Sequence, residues 1–258
     1  MPIDISQVEL FVLLFIRITS ALAVLPIFSN AAVAPMIKAG IGGIMALLLL
    51  PALPVSLPLS SGTIVDFFLL AVKEVLCGVL IGFAGQFLFW GVEIAGQLIG
   101  FQAGFSVVSS IDPNTESQST VLTQVYNLTA MLVFISIDGH HMMLKAVADS
   151  FHVIPIGGLS VGPQMSEWTL NAARTVLADG VRLAAPLMVT LLLTDIGLGI
   201  LVRVAPTMNV FVLGFPLKVG ISLIMISITI GAVMSIFTHQ YGEYARNLPG
   251  FMRLLAAP

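Results

Sequence analysis

IVDFFLLAVKEVLCGVLIGFAGQFLFWGVEIAGQLIGFQAGFSVV, residues 64–108, stays apolar far beyond one bilayer crossing. At 1.5 Å of rise per residue, about 20 residues span a hydrocarbon core. A helix of this length must bend, break into a hairpin or project out of the membrane. Its apolar residues are continuous rather than alternating, which selects helix over the strands of a membrane barrel. The rest of the chain agrees: of 258 residues, 58% are hydrophobic and 9% charged, and mean hydropathy is +1.06. Soluble domains carry roughly 25% charged residues. The expected fold is an all-α membrane protein, one domain over residues 1–258, with about six hydrophobic segments.

The stretch carries its own punctuation. Gly78 and Gly82 form one G-x-x-x-G pair, and Gly96, Gly100 and Gly104 follow at four-residue spacing. Residues without side chains let helices approach closely, here against neighbouring subunits. The charges Lys73, Glu74 and Glu93 lie in the same run, and Asp66 shares a helix face with Lys73. They read as buried or interfacial ion pairs between helices. Past Gly104 the character changes. From Ala95 to Thr120 the chain reads AGQLIGFQAGFSVVSSIDPNTESQST, a glycine face leading into a polar, turn-forming segment without Lys or Arg. Such a segment cannot face lipid with its backbone groups unpaired. Water, protein or a pore must receive it.

Outward from there, the first hydrophobic segment covers residues 8–28 and holds Arg17, whose charge in an apolar run requires protein, water or snorkelling. Met1 to Ile5 lacks the basic start of a cleavable leader, so this segment is expected to be retained. The second covers 36–50, opens after Pro35 and ends in the proline-rich PALPVSLPLSSG. The fourth, 121–151, is interrupted by DGHH at 138–141, which reads as a break or kink at Gly139. Adjacent histidines on a helix diverge by about 100°, so no metal site is expected there. Residues 160–179 look soluble, with Trp168 suited to a membrane interface. The fifth segment, 181–204, carries Asp195 and Arg203, eight apart and able to line one face without touching. Pro206, Gly214 and Pro216 are expected to break the linker before the sixth segment, 219–237. A serpentine of six crossings puts Lys38 and Arg203 on one side and Arg246 and Arg253 on the other. That conflicts with the excess of cytoplasmic basic residues normally seen, so some hairpins do not cross.

Function is bounded by what the residues lack. The formal charge is −3 with scattered basic residues, which gives no nucleic-acid footprint. The single cysteine, Cys77, makes no intrachain disulfide or metal cluster and reads as a packing residue. No catalytic constellation or phosphate-cradling loop is defensible, so no enzyme and no cofactor are expected. A proton-coupled small-solute transporter would use Asp66, Glu74, Glu93 or Asp195, but no internal repeat places two broken helices in matching positions. A pore-assembly subunit remains, in which the polar segment closes a lumen to small solutes and moves for a larger substrate.

Several motifs, in order, resemble one family. They are the first helix with Arg17 and the P-x-F at 26–28, KEVLCGVLIGF at 73–83, and AGQLIGFQAGFS followed by DP at 95–113. DGHH, SFHVIPIG at 150–157 and APTMNVFVLGFPLK at 205–218 complete the pattern. Together they resemble the FliR family of flagellar type III secretion export-gate proteins, whose virulence counterparts are called SctT. The resemblance implies kinked helical hairpins, with a FliP-like part at 1–160 followed by a FliQ-like part at 161–258. It implies FliP and FliQ as gate partners, FlhB in association, FlhA in the wider apparatus, exported flagellar proteins in transit, and membrane lipid around the gate. The implied location is the bacterial inner membrane within the flagellar basal body, with much of the gate above the membrane plane. The family's pore plug maps onto Ser106, Val107, Val108, Ser109, Ser110, Ile111, Asp112, Pro113, Asn114, Thr115, Glu116 and Ser117. Helix packing is expected at Gly78, Gly82, Gly96, Gly100 and Gly104, and buried polar or inter-subunit roles at Arg17, Lys73, Glu74, Asp195 and Arg203.

Overall fold

The computed structural model describes residues 5–30, 32–53, 63–105, 120–160, 162–207 and 209–256. Among them are seven helices: α1 (Ile5–Val24), α2 (Pro35–Leu49), α3 (Ile64–Gln102), α4 (Val121–Ser136), α5 (Gly139–Val153), α6 (Pro163–Val204) and α7 (Val210–Leu255). Among the described residues the one β-type pairing is an isolated bridge between Leu159 and Ala256. The all-α expectation holds, with slightly fewer membrane-span candidates than the six hydrophobic segments. Among the described residues, three helices are long and apolar enough to cross a membrane, within 6–24, 163–204 and 212–255. A fourth crossing arises if α4 and α5, bent by 68° at their junction, act as one. The second segment gives only the 15-residue α2, too short for about 30 Å of hydrocarbon at 1.5 Å per residue.

Local chemistry explains most boundaries. Pro35 starts α2, where its missing N–H costs nothing. Asp66 in the first turn of α3 accepts the Thr63 N–H at 2.8 Å, and the Thr120 hydroxyl accepts the Thr123 N–H at the start of α4. Gly104, at φ +89°, ends α3. It is a left-handed stop past the helix, not the third rung of a glycine face, because its N–H turns back to the Phe101 carbonyl. The break between α4 and α5 is where the sequence placed it, but its left-handed residue is Asp138, at φ 57°, rather than Gly139. A short polar side chain tolerates that conformation better than most.

The soluble-looking stretch falls, from Pro163 on, in the first half of α6, which continues through Pro186. One other expectation fails because an apolar helix outlasts its breakers. Gly214 and Pro216 lie inside α7, which runs on through Arg246 and Arg253. Each internal proline forfeits one backbone bond, a local loss that the long helices on either side absorb.

The chain divides into two compact units that are not the two sequence halves. One comprises Met1–Phe87, Asp138–Ala172 and Gly242–Pro258, and the other Leu88–Ile137 and Ala173–Tyr241. The first is built on Leu13, Leu14, Ile18 and Leu22 of α1, all fully buried. Trp168 stacks on Phe251 with ring centroids 4.0 Å apart and meets Phe87 edge-on, so it is a packing residue of this unit. The second unit centres on Phe89, which packs edge-on against Phe134 and Phe237 at 5.2 and 5.6 Å. Leu183, Leu187 and Leu191 of α6 are buried in it as well.

Candidate functional site

In the first unit, three motifs distant in sequence meet at one side chain. Arg17 of α1 is fully buried, and Glu74 of α3 is 1% exposed. Arg17 Nε donates to Glu74 Oε2 at 2.5 Å and Nη2 donates to Oε1 at 3.0 Å, a bidentate pair. The remaining guanidinium hydrogens go to the carbonyls of Ile154 at 2.9 Å, Pro155 at 3.3 Å and Ser150 at 3.4 Å. These carbonyls lie at and just past the C-terminal end of α5, where a cation is favoured, and those of Ser150 and Pro155 also accept the Ile154 and Gly158 N–H groups. The Phe151 ring lies 4.3 Å from Arg17 Cζ. Glu74 Oε1 also accepts the Gly157 N–H at 2.8 Å. Lys73 donates to the Gly157 carbonyl at 3.2 Å, so consecutive residues of α3 grip both sides of one turn residue. Gly157 itself has φ +75°.

The glycines sit beside this node and beyond it. A Cβ on Gly82 would come within 2.6 Å of the Ala21 carbonyl oxygen, and one on Gly78 would collide with the Arg17 carbonyl and Ser20 hydroxyl. In the second unit a Cβ on Gly96 would lie 2.6 Å from Thr123 Cα, and one on Gly100 2.6 Å from Thr120 Cγ2. The close partners shown by these contacts are elements of the same chain. The Gly100–Thr120 contact also places the end of α3 against the start of α4, so the chain leaves at Phe105 and returns at Thr120 close to where it left. The twelve plug candidates, Ser106 to Ser117, lie outside the described residues.

At that exit, α6 and α7 supply further contacts. Asp195 forms an ion pair with Lys218 and accepts a hydrogen bond from Gln102 Nε2 at 2.9 Å. Phe105 meets Phe215 edge-on, with centroids 5.9 Å apart. Arg203 is not the partner of Asp195; it is exposed in the last turn of α6. Asp195 lies about as far before the short 205–209 connection as Lys218 lies after it, so folding the hairpin brings them together. Lys73 and Arg203 are exposed on this chain. Reading the sequence helix by helix missed Gln102, Phe215, Lys218 and Thr120. The FPLK of the last motif was the available signal for Lys218.

The DGHH turn is more compact than side-chain divergence implies. Asp138, His140 and His141 bring one donor atom each within 4.8 Å of one another, and His141 Nδ1 lies 3.2 Å from Asp138 Oδ1. The cluster is largely exposed and occupies the electropositive N-terminal end of α5, where the helix dipole opposes a cation. Each acid considered for proton transport has a local partner: Asp66 the Thr63 cap, Glu74 Arg17, Glu93 Gln97 at 3.4 Å, and Asp195 Lys218.

Comparison with known proteins places this arrangement. Residues 8–244 match the family described as "Bacterial export proteins, family 1". "Flagellar biosynthetic protein FliR" of Escherichia coli (strain K12) is 30% identical over 241 residues, covering 93% of this chain and 91% of that protein. The protein of the same name from Pectobacterium carotovorum subsp. carotovorum is 31% identical, with 93% and 91% covered. "Yop proteins translocation protein T" of Yersinia pestis is 29% identical, with 87% of each chain covered.

Proposed function

Because the chain belongs to the bacterial export proteins, family 1, we propose that it is a subunit of the flagellar type III protein-export gate. It completes the channel, and its segment 106–117 is the plug that helps keep the channel shut. It works in the bacterial inner membrane, within the flagellar basal body, with part of the gate above the membrane plane. Its neighbours are FliP and FliQ, with FlhB in association, FlhA in the wider apparatus and flagellar proteins as cargo. The names of the relatives support the export assignment, two being flagellar biosynthetic FliR proteins and one a Yop proteins translocation protein. The FliP-like reading of 1–160 and the FliQ-like reading of 161–258 belong to this proposal. The role is mechanical rather than enzymatic.

One observation carries the plug: Gly100 against Thr120 closes the base of a segment that is polar, free of basic residues and flanked by apolar helices. Deleting residues 109–117 should therefore leave assembly with FliP and FliQ intact and raise the resting ion conductance of the purified gate in planar bilayers. Unchanged conductance in a fully assembled gate refutes the plug. The partnered acids argue against small-solute transport, since a proton carrier must exchange its proton with water during a cycle.

A further inference from the structure

The DGHH turn at 138–141 holds three side chains that the export role leaves without a task. One carboxylate oxygen of Asp138 and one ring nitrogen each of His140 and His141 lie within 4.8 Å of one another. The divergence of adjacent helix positions by about 100° fixes where two Cβ atoms point, not where two rings end. Here side-chain rotation brings the His140 and His141 rings to 4.2 Å between centroids. A second observation bears on a ligand. His140 Nδ1 is closed to solvent and has no hydrogen-bond partner among the described residues, a costly state for a polar atom unless something meets it. The side chains of His141 and Asp138 are 71% and 76% exposed. The cluster thus combines one shielded donor with two that a solvated ion can reach.

We propose that Asp138, His140 and His141 form a binding site for a single divalent transition-metal ion of the zinc class. Donors bonded at about 2.0–2.2 Å to a tetrahedral ion lie roughly 3.4 Å apart, so the three must draw in by up to about 1.4 Å. Rotation of the two exposed side chains supplies that movement without shifting backbone. The partial positive charge at the start of α5 selects among ions. Mg²⁺ and Ca²⁺ bind hard oxygens and find one carboxylate here, set against the dipole. Zn²⁺, Ni²⁺ and Cu²⁺ accept electron pairs from imidazole, and the Asp138 charge offsets the dipole. Three protein donors leave a coordination position for water, to which no reaction is assigned. The consequence is a staple on the first turn of α5, the helix whose last turn supplies the Ser150 carbonyl to Arg17.

The test uses the full chain in detergent micelles, purified through a tag without histidine, stripped with a chelator and titrated with Zn²⁺ against a chromophoric competitor. Wild type should show a site that the His140→Gln/His141→Gln double variant lacks. Each single variant should weaken that site about tenfold or more, as should Asp138→Asn, in which asparagine tolerates the left-handed backbone and the negative charge is gone. His152→Gln and His239→Gln, the other two histidines, should leave it unchanged. Co²⁺ bound in place of Zn²⁺ should give visible absorption bands in wild type that the double variant does not show. Zn²⁺ should also raise the thermal unfolding midpoint of wild type and not that of the double variant. If the double variant does not fold, the exposed single variants His141→Gln and Asp138→Asn decide by affinity. A wild-type titration that superimposes on that of the double variant overturns the site, as does unchanged affinity in both of those single variants. Displacement of Zn²⁺ by an equal concentration of Mg²⁺ overturns ligation by the imidazoles.

Discussion

At the scale of the residue, Arg17 decides whether the first unit holds together. Its five N–H donors face a carboxylate and three carbonyls at a helix end, so little of its charge is left uncompensated despite complete burial. Removing one partner strands the other. Arg17→Met should cost about 3–5 kcal/mol, the usual penalty for orphaning a buried charge. Glu74→Gln should cost less, because the amide oxygen can still accept the Gly157 N–H. Arg17→Met combined with Glu74→Leu should be less damaging than the sum of the two single losses, since neither charge is then stranded. Thermal unfolding of the detergent-solubilised gate, with recovery of co-purified FliP as a second readout, measures all three. Additive losses in the double variant would show that the two side chains act separately. Sequence alone marked Arg17 and Glu74 as charges needing partners. It could not pair them, because 57 residues separate them and the completing carbonyls at 150–155 belong to backbone, which has no composition to read.

At the scale of the element, the glycines set how closely α3 approaches its neighbours. Gly82 faces the Ala21 carbonyl and Gly96 faces Thr123 Cα, so in both cases the obstacle to a side chain is backbone, which cannot rotate away. Gly82→Val and Gly96→Val should each lower the yield of assembled gate, overpacking of this kind costing typically 1–3 kcal/mol. Gly40 on α2 has nothing within 4 Å of its Cβ position, so Gly40→Ala should leave assembly unchanged or slightly improved. Size-exclusion recovery of the co-expressed complex distinguishes these outcomes, and equal behaviour of the three variants would remove the packing role. The same helix indicates what was legible. The length of α3, its four-residue glycine spacing and the break at DGHH are patterns within one element, and each could be read from the chain. Gly104 as a helix stop, Pro216 inside α7 and the pairing of Asp195 with Lys218 depend on neighbours in space. For those, local rules gave a face that ran one glycine too far, a break that did not occur and no partner for Asp195.

At the scale of the molecule, helix length and membrane thickness disagree in a way that makes a measurable prediction. The 46 residues of α7 would extend roughly 69 Å at 1.5 Å per residue, against about 30 Å of hydrocarbon. Tilting absorbs part of such an excess, but not a twofold one. Its first half is the more uniformly apolar, whereas HQYGEYARN at 239–247 carries five polar or charged side chains beyond its tyrosines and glycine and belongs with Arg253 to the end that lipid would exclude. Leu213, Ile224, Ile228 and Ile236 present exposed apolar surface along α7. Single cysteines introduced at Leu213, Ile224, Ile236, Glu243 and Arg253 in a Cys77→Ala background can be probed in membranes with an impermeant maleimide. A block of about 20 protected residues should fall in the first half of the helix, with Glu243 and Arg253 reactive in the chain expressed alone. Co-expression with FliP and FliQ should extend protection past Ile236 as protein replaces water around the projecting part. Protection of all five positions in the chain alone would mean that α7 lies wholly within the bilayer, and the placement of part of the gate above the membrane plane would have to be abandoned.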